Sequence, residues 1–317
     1  MTSSWRRSSL RGSEQDFETI ELENSSVRAM ILPQLGGKVW NIWHKPSDSQ
    51  WLWHNPAVGL RVATADCSYD DNWVGGWEEL FPNDAACEFM GRQLPDHGEW
   101  WSQSWEWQEL EGSDWGVGVR LSRASSLTGT VCDKWITLDN NQPRLSIRYR
   151  IRNNGPEPLH FLFKQHLAIN VTADHKIELP GGKLIPVDLD FSTRVGGPGP
   201  FEWPWAETAD GAPVDLSVLP PPELRHREFV YGYDLPAGWC GVIDTRTKVR
   251  FRLHFDREVF PYTWIFMTFG GWRDLYAVVL EPCTNMPKDL GDAHRLGQCA
   301  SLLPQETMNA TVYAEFS

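Results

Sequence analysis

The chain has 317 residues, a net charge of −13 and a pI near 5.1. That acidity argues against binding a phosphate backbone, which needs a basic footprint. Hydrophobic residues at 41% and charged residues at 22% describe an ordinary globular chain, long enough to bury a substantial core.

With 18 Trp, 26 Gly and 22 Pro, the composition points to strands and turns. Cysteines at 67, 87, 132, 240, 283 and 299 lack CxxC or metal-finger spacing and read as reduced thiols. The N-terminus has no apolar stretch of the secretory type, and no apolar run is long enough to span a bilayer. A soluble, cytoplasmic chain is expected, and the sequons at Asn24, Asn170 and Asn309 read as accidental.

Residues 1–14 are polar and basic and are expected to fray as a flexible tail. Residues 15–317 then form a single domain. Strands are predicted over 27–32 and 38–43, joined by the turn PQLGG, with Trp51-Leu52-Trp53 after a turn-rich stretch. Further strands fall at 115–123, 131–138, 159–163, 262–269, 275–280 and 311–316. The clearest alternation is RLSIRYRIR at 144–152, where Leu145, Ile147, Tyr149 and Ile151 face one way and the arginines the other. The arginine row reads as a solvated face. KVRFRLHFD at 248–256 repeats the pattern and puts His254 on the polar side. Only 223–228 and 288–296 suggest short helices. The Gly- and Pro-rich stretch 195–223 also carries Phe201, Trp203 and Trp205, so it reads as a packed loop over a sheet face, with a site beneath it one option.

Four segments carry candidate chemistry. In LPDHGEWWSQSWEW at 94–107, His97 lies between Asp96 and Glu99 and is followed by Trp100, Trp101, Trp105 and Trp107. Imidazole exchanges protons near neutral pH, and indole faces suit a sugar ring. The same residues also fit a turn histidine and a tryptophan-filled core. GGWEELFP at 75–82 precedes it. Lys164-Gln165-His166 lies between apolar runs, which makes His166 a candidate inward-facing acid. Glu281 closes the apolar strand YAVVL before Pro282, where desolvation raises a carboxylate's pKa and makes it a better base. No HxH or HxxxH spacing supports a metal, and no GxSxG elbow or P-loop occurs.

In this order the segments resemble the aldose 1-epimerase (galactose mutarotase-like) family, in its bacterial branch with GGWxExFP and HGE motifs. The likeness runs from about Phe17 to the closing LLPQETMNATVYAEF. It implies an all-β fold, a large antiparallel β-supersandwich, and interconversion of the α and β anomers of an aldose without metal or cofactor. By analogy Glu281 is the general base, His166 the acid that protonates the ring oxygen, and His97 a hydrogen-bond partner that polarises it. Where the galactose-specific branch has an arginine, this chain has Trp77, Glu78 and Glu79, and its nearest arginine is Arg92. Trp77 and Trp272 are candidates to stack on the sugar and Glu78 or Glu79 to accept its hydroxyls. Lys164 and Arg273 are candidates to hold an anionic substituent. The expected partner is a monosaccharide, with or without such a substituent, bound by a monomer or homodimer. A non-catalytic sugar-binding protein, a glycoside hydrolase and an epimerase acting at another carbon are the alternatives.

Overall fold

The computed structural model describes residues 3–64, 67–113 and 116–317. Two antiparallel sheets form the body. The larger has 12 strands, in the order Ser4–Arg11, Asp16–Glu23, Val27–Leu32, Lys38–His44, Trp77–Leu80, Lys164–Ile169, Tyr276–Cys283, Tyr262–Phe269, His226–Tyr233, Lys183–Pro186 and Phe201–Glu202, with Ser49–Gln50 beside Lys38–His44. The smaller has 8, from His175–Glu178 through Trp239–Asp244, Arg250–Phe255, Thr307–Phe316, Arg144–Asn153, Thr130–Asp139 and Gly116–Ala124 to Glu106–Ser113. This is the expected all-β, antiparallel supersandwich.

The period of two decides what each sheet buries. Leu145, Ile147, Tyr149 and Ile151 point into the core between the sheets, as do Phe251, Leu253 and Phe255. On the outer face Arg148 and Arg150 lie over the Trp135 ring, and Arg150 also pairs with Asp133 at 2.5 Å. The closing strand Thr307–Phe316 inserts between Arg144–Asn153 and Arg250–Phe255, which ties the middle of the chain to its end.

Some expectations are corrected. Residues 4–11 do not fray: they pair along Asp16–Glu23, with Arg6 on Glu21 at 2.6 Å and Trp5 against Trp107. Basic residues opposite acidic ones supply the cross-strand pairs that hold an edge strand. The stretch 195–223 packs Phe201 and Trp203 against the main core, as expected, and folds over its own small cluster of Val195, Ala206 and Leu216, but none of it lines the cleft that holds His97 and His166. Of the two expected helices, 288–296 contains Leu290–Arg295, whereas 223–228 meets only a single turn at Pro222–Leu224 before a strand begins at His226. A short helix, Tyr69–Asn72, capped by Ser68, has no counterpart in the sequence reading. Trp115 lies outside the described residues. The six cysteines are free thiols. Among the described residues no helix is long and apolar enough to cross a membrane.

Candidate active site

The site is built on the outer face of the larger sheet, where four strands from separate parts of the chain lie side by side. His166 pairs in register with Glu78. On its other side, the register that joins Lys164 to Cys283 and Leu167 to Leu280 sets His166 beside Glu281, which in turn pairs with Trp264. Glu78, His166, Glu281 and Trp264 therefore form one row across four strands, each about 4.8 Å from the next. Alternation sends their neighbours Trp77, Glu79, Gln165 and Leu280 into the core.

His97 reaches this row from a loop. It adopts φ +60 and donates its backbone N–H to the Asp84 carbonyl at 2.6 Å. The next residue, Gly98, has φ +68, and a Cβ there would lie 2.1 Å from the Phe81 carbonyl oxygen. Only glycine lets the HGE turn press so closely on the end of GGWEELFP. His97, His166, Glu281, Lys164 and Trp272 line one cleft of about 350 Å³, together with Tyr69, Asp70, Trp73, Asp84, Asp96, Phe191, Phe229, Phe266 and Lys288. That is the size of a small-ligand pocket, with apolar walls and a few convergent polar groups. Two larger or similar recesses elsewhere, one beside His54 and one beside Arg92, hold none of the paired acid and base groups.

Lys164 is the electrostatic centre. Its Nζ lies 2.6 Å from Asp84 Oδ1, 2.5 Å from Glu281 Oε2 and 4.0 Å from the centre of the Trp264 ring. Burial opposes its charge, but Asp84 and Glu281 outweigh burial and raise its pKa, so it stays an ammonium. Burial raises the pKa of Glu281, and Lys164 offsets only part of that rise. The result is a carboxyl more basic than one in water, with an ammonium beside it that favours its charged form.

The two histidines divide. For His97, burial favours the neutral ring, but Asp84 and Asp96 together overcome it and the pKa rises. Asp96 Oδ1 is 2.9 Å from His97 Nδ1, and Asp84 Oδ1 is 3.9 Å from Nε2. His166 goes the other way: burial, then the charges of Lys164, His97 and Lys38, push its pKa well below 6.5. A cationic His166 acid is thus not what the cleft supports; the cation belongs on His97.

The other expected contacts fall out unevenly. Trp272 lines the cleft and packs edge-on against Phe266. Trp77 is 0% exposed, sits in the core between the sheets and donates its indole N–H to Gln165 at 2.9 Å, so it offers no face to a sugar. Glu78 lies beneath the cleft floor, bonded to Tyr69 and paired with Lys38. Glu79 faces the opposite sheet, where Lys134 and Tyr149 hold it at 2.8 and 2.6 Å. Arg273 stands outside, paired with Asp71 at 2.6 Å. Arg92 lies on a separate exposed hairpin. Of the tryptophans after HGE, Trp100 and Trp105 are core, and Trp101 packs behind Tyr69. Tyr69, Trp73 and Asp84 were not picked out from sequence; the Ser68 cap before two aspartates was the one local signal for the turn that carries Tyr69. Among the described residues no group of three or more His, Cys, Asp or Glu side chains is arranged to hold a metal ion.

Comparison with known proteins agrees with this architecture. Residues 2–85 match the model of a domain of unknown function, DUF5107. The Slr1438 protein of Synechocystis sp. PCC 6803 is similar at 18% identity, over 94% of this chain and 95% of that one, with a TM-score of 0.68. A candidate aldose 1-epimerase of Klebsiella pneumoniae is 9% identical over 99% and 87% of the two chains, with a TM-score of 0.74. A galactose mutarotase related enzyme of Lactobacillus acidophilus is 14% identical over 94% and 97%, with a TM-score of 0.66. At these identities the likeness establishes the fold, and the chain has the galactose mutarotase-like β-sandwich.

Proposed function

We propose that the protein is an aldose 1-epimerase that acts on an uncharged aldose. The observation that carries this reading is the convergence of a buried carboxylate, Glu281, and two oppositely tuned imidazoles, His97 and His166, on one aromatic-walled cleft. Glu281 takes the proton from the anomeric O1 hydroxyl. As the C1–O1 double bond forms, the C1–O5 bond breaks and its electron pair passes to O5, which takes a proton from the His97 imidazolium. Rotation about C1–C2 turns the aldehyde over. On closure O5 attacks either face, returning its proton to His97, while Glu281 protonates O1. Every proton is accounted for by two side chains, and each supplies roughly 10² to 10⁴-fold. His166, neutral, accepts a hydrogen bond from a sugar hydroxyl. Trp272 and Phe229 offer apolar faces to the ring.

Charge supports an uncharged substrate. Asp70, Asp84, Asp96 and Glu281 line the cleft, and its buried cation, Lys164, is already held by two of them. Arg273, the other candidate for an anionic substituent, is paired with Asp71 outside the lining. Against these four carboxylates stand Lys164, the His97 imidazolium and the exposed Lys288, so a phosphate or sulfonate would still enter a field that is on balance of its own sign.

Anomer exchange at equilibrium, followed by NMR with glucose and galactose, tests the proposal. Exchange well above the buffer rate, abolished in Glu281→Gln and His97→Gln, is expected. The rate should fall below the pKa of Glu281, where the base is protonated, and fall again above the raised pKa of His97, where the acid is lost. Binding without acceleration would replace this reading with a sugar-binding protein. Release of nitrophenol from nitrophenyl glycosides would replace it with a hydrolase.

A further inference from the structure

Both histidines of the cleft touch one residue that the reaction above does not use. Tyr69, on the short helix Tyr69–Asn72, lays its ring flat against His97, with centroids 3.7 Å apart and planes 3° apart. Its hydroxyl lies 2.5 Å from Glu78 Oε1, to which it donates, and 3.2 Å from His166 Nδ1. Tyr69 and Glu78 are both buried, and Glu78 is ion-paired with the equally buried Lys38.

A phenol has one proton to give. Because that of Tyr69 goes to Glu78, its oxygen can only accept from His166, so Nδ1 must carry the ring hydrogen. A neutral imidazole with Nδ1–H has a bare Nε2. We propose that Tyr69 is a positioning residue that sets the division of labour between the two histidines. Its hydroxyl locks His166 as the Nδ1–H tautomer, with Nε2 an acceptor toward the substrate, and its ring face supports His97 as the proton-donating imidazolium.

The surroundings agree. Around His166 stand Glu78 at 3.7 Å, Lys38 behind it, Lys164 on the same strand, Glu281 on the neighbouring strand, and His97 with its ring centre 6.2 Å away. Burial, helped by the cations among them, keeps His166 neutral, and burial of the Tyr69 phenol, reinforced by Glu78, keeps its proton on oxygen. For His97, an aromatic face at stacking distance favours the charged ring, in the same direction as Asp84 and Asp96.

The inference concerns roles within the 1-epimerase reading and rests on it, but its first test does not need activity. Long-range ¹H–¹⁵N spectra of the wild-type protein should show His166 as the Nδ1–H tautomer and His97 doubly protonated at neutral pH. An Nε2–H tautomer at His166 overturns the proposal. Tyr69→Phe keeps the stacked ring and removes only the hydroxyl. It should cut glucose anomer exchange by at least about tenfold, a part of what a positioned acid–base group supplies. His166 in this variant should also protonate at higher pH, because Glu78 loses its hydroxyl partner and turns to Nδ1. Wild-type acceleration that survives Tyr69→Phe, with the His166 spectrum unchanged, refutes the role of Tyr69 and leaves the epimerase reading standing. No acceleration by the wild type fails the epimerase reading instead.

Discussion

Replacing Lys164 with Met keeps a long flexible side chain and removes the charge that holds two buried carboxylates together. Each contact, at 2.5 and 2.6 Å, is worth about 6 kcal/mol by Coulomb's law at an effective dielectric of about 20. Against this stands the cost of burying the ammonium, several kcal/mol. Breaking a buried pair by deleting one member typically costs about 3–5 kcal/mol, because the remaining charge is left uncompensated. Here two carboxylates are left facing each other, so the expected loss lies in that range, a fall in Tm of about 10 °C. The loss should depend on pH. Without the lysine, the pKa of Glu281 rises further in the folded state, and the folded variant binds a proton that the unfolded chain does not. Stability of the variant therefore falls as pH rises from the unfolded carboxylate range through the raised folded value. Thermal melts of wild type and Lys164→Met across pH 5 to 8 should show the deficit largest at pH 8 and shrinking toward pH 5. A deficit below about 1 kcal/mol, or one that does not change with pH, would mean that Lys164 does not favour the charged form of Glu281, and would remove the basis for Glu281 as the base.

Gly98→Ala should lose at least about 2 kcal/mol of stability, because a left-handed φ and a Cβ driven onto the Phe81 carbonyl act together. If the melt is unchanged, the HGE turn is not held as described. Trp77→Phe should lower stability by about 1–3 kcal/mol through lost packing and the lost bond to Gln165, while leaving sugar affinity near wild type. A tenfold rise in KM without a change in Tm would put Trp77 back at the sugar. Glucose 6-phosphate should exchange anomers no faster with the protein than in buffer while glucose is accelerated; the reverse preference would mean that an anion site at Lys288, near the cleft mouth, had been underrated.

Much of the fold could be read along the chain. The alternation at 144–152 and 250–255 is a local property: with a period of two, one face must be apolar if the strand is half buried, and the structure buries those residues. The segments bearing His166 and Glu281 also stood out, because an imidazole or carboxylate set against apolar neighbours is unusual in any strand, and that of His97 because an imidazole between two acids precedes a run of tryptophans. What could not be read is which of two adjacent residues faces the cleft. Trp77 and Glu78 differ by one position, and only the pairing of Glu78 with His166 turns the glutamate outward and the tryptophan into the core.

The N-terminal strand was missed for a related reason. Its side chains look like those of a solvated tail until the acidic partners on Asp16–Glu23 are placed opposite them. Tyr69 and Asp84 come from short or irregular segments with no periodicity to mark them, and they matter only because the fold carries them to residues about 80 to 210 positions further along the chain.

Sequence alone thus determined the residue types, the strands with clear alternation and the order of the motifs, because these follow from covalent spacing and the burial of apolar faces. The protonation states were decided by tertiary structure. A histidine's pKa depends on its desolvation and on charges a few ångströms away. It took the folded structure to bring Asp84 to His97 and to bury His166 against Tyr69 and Glu78.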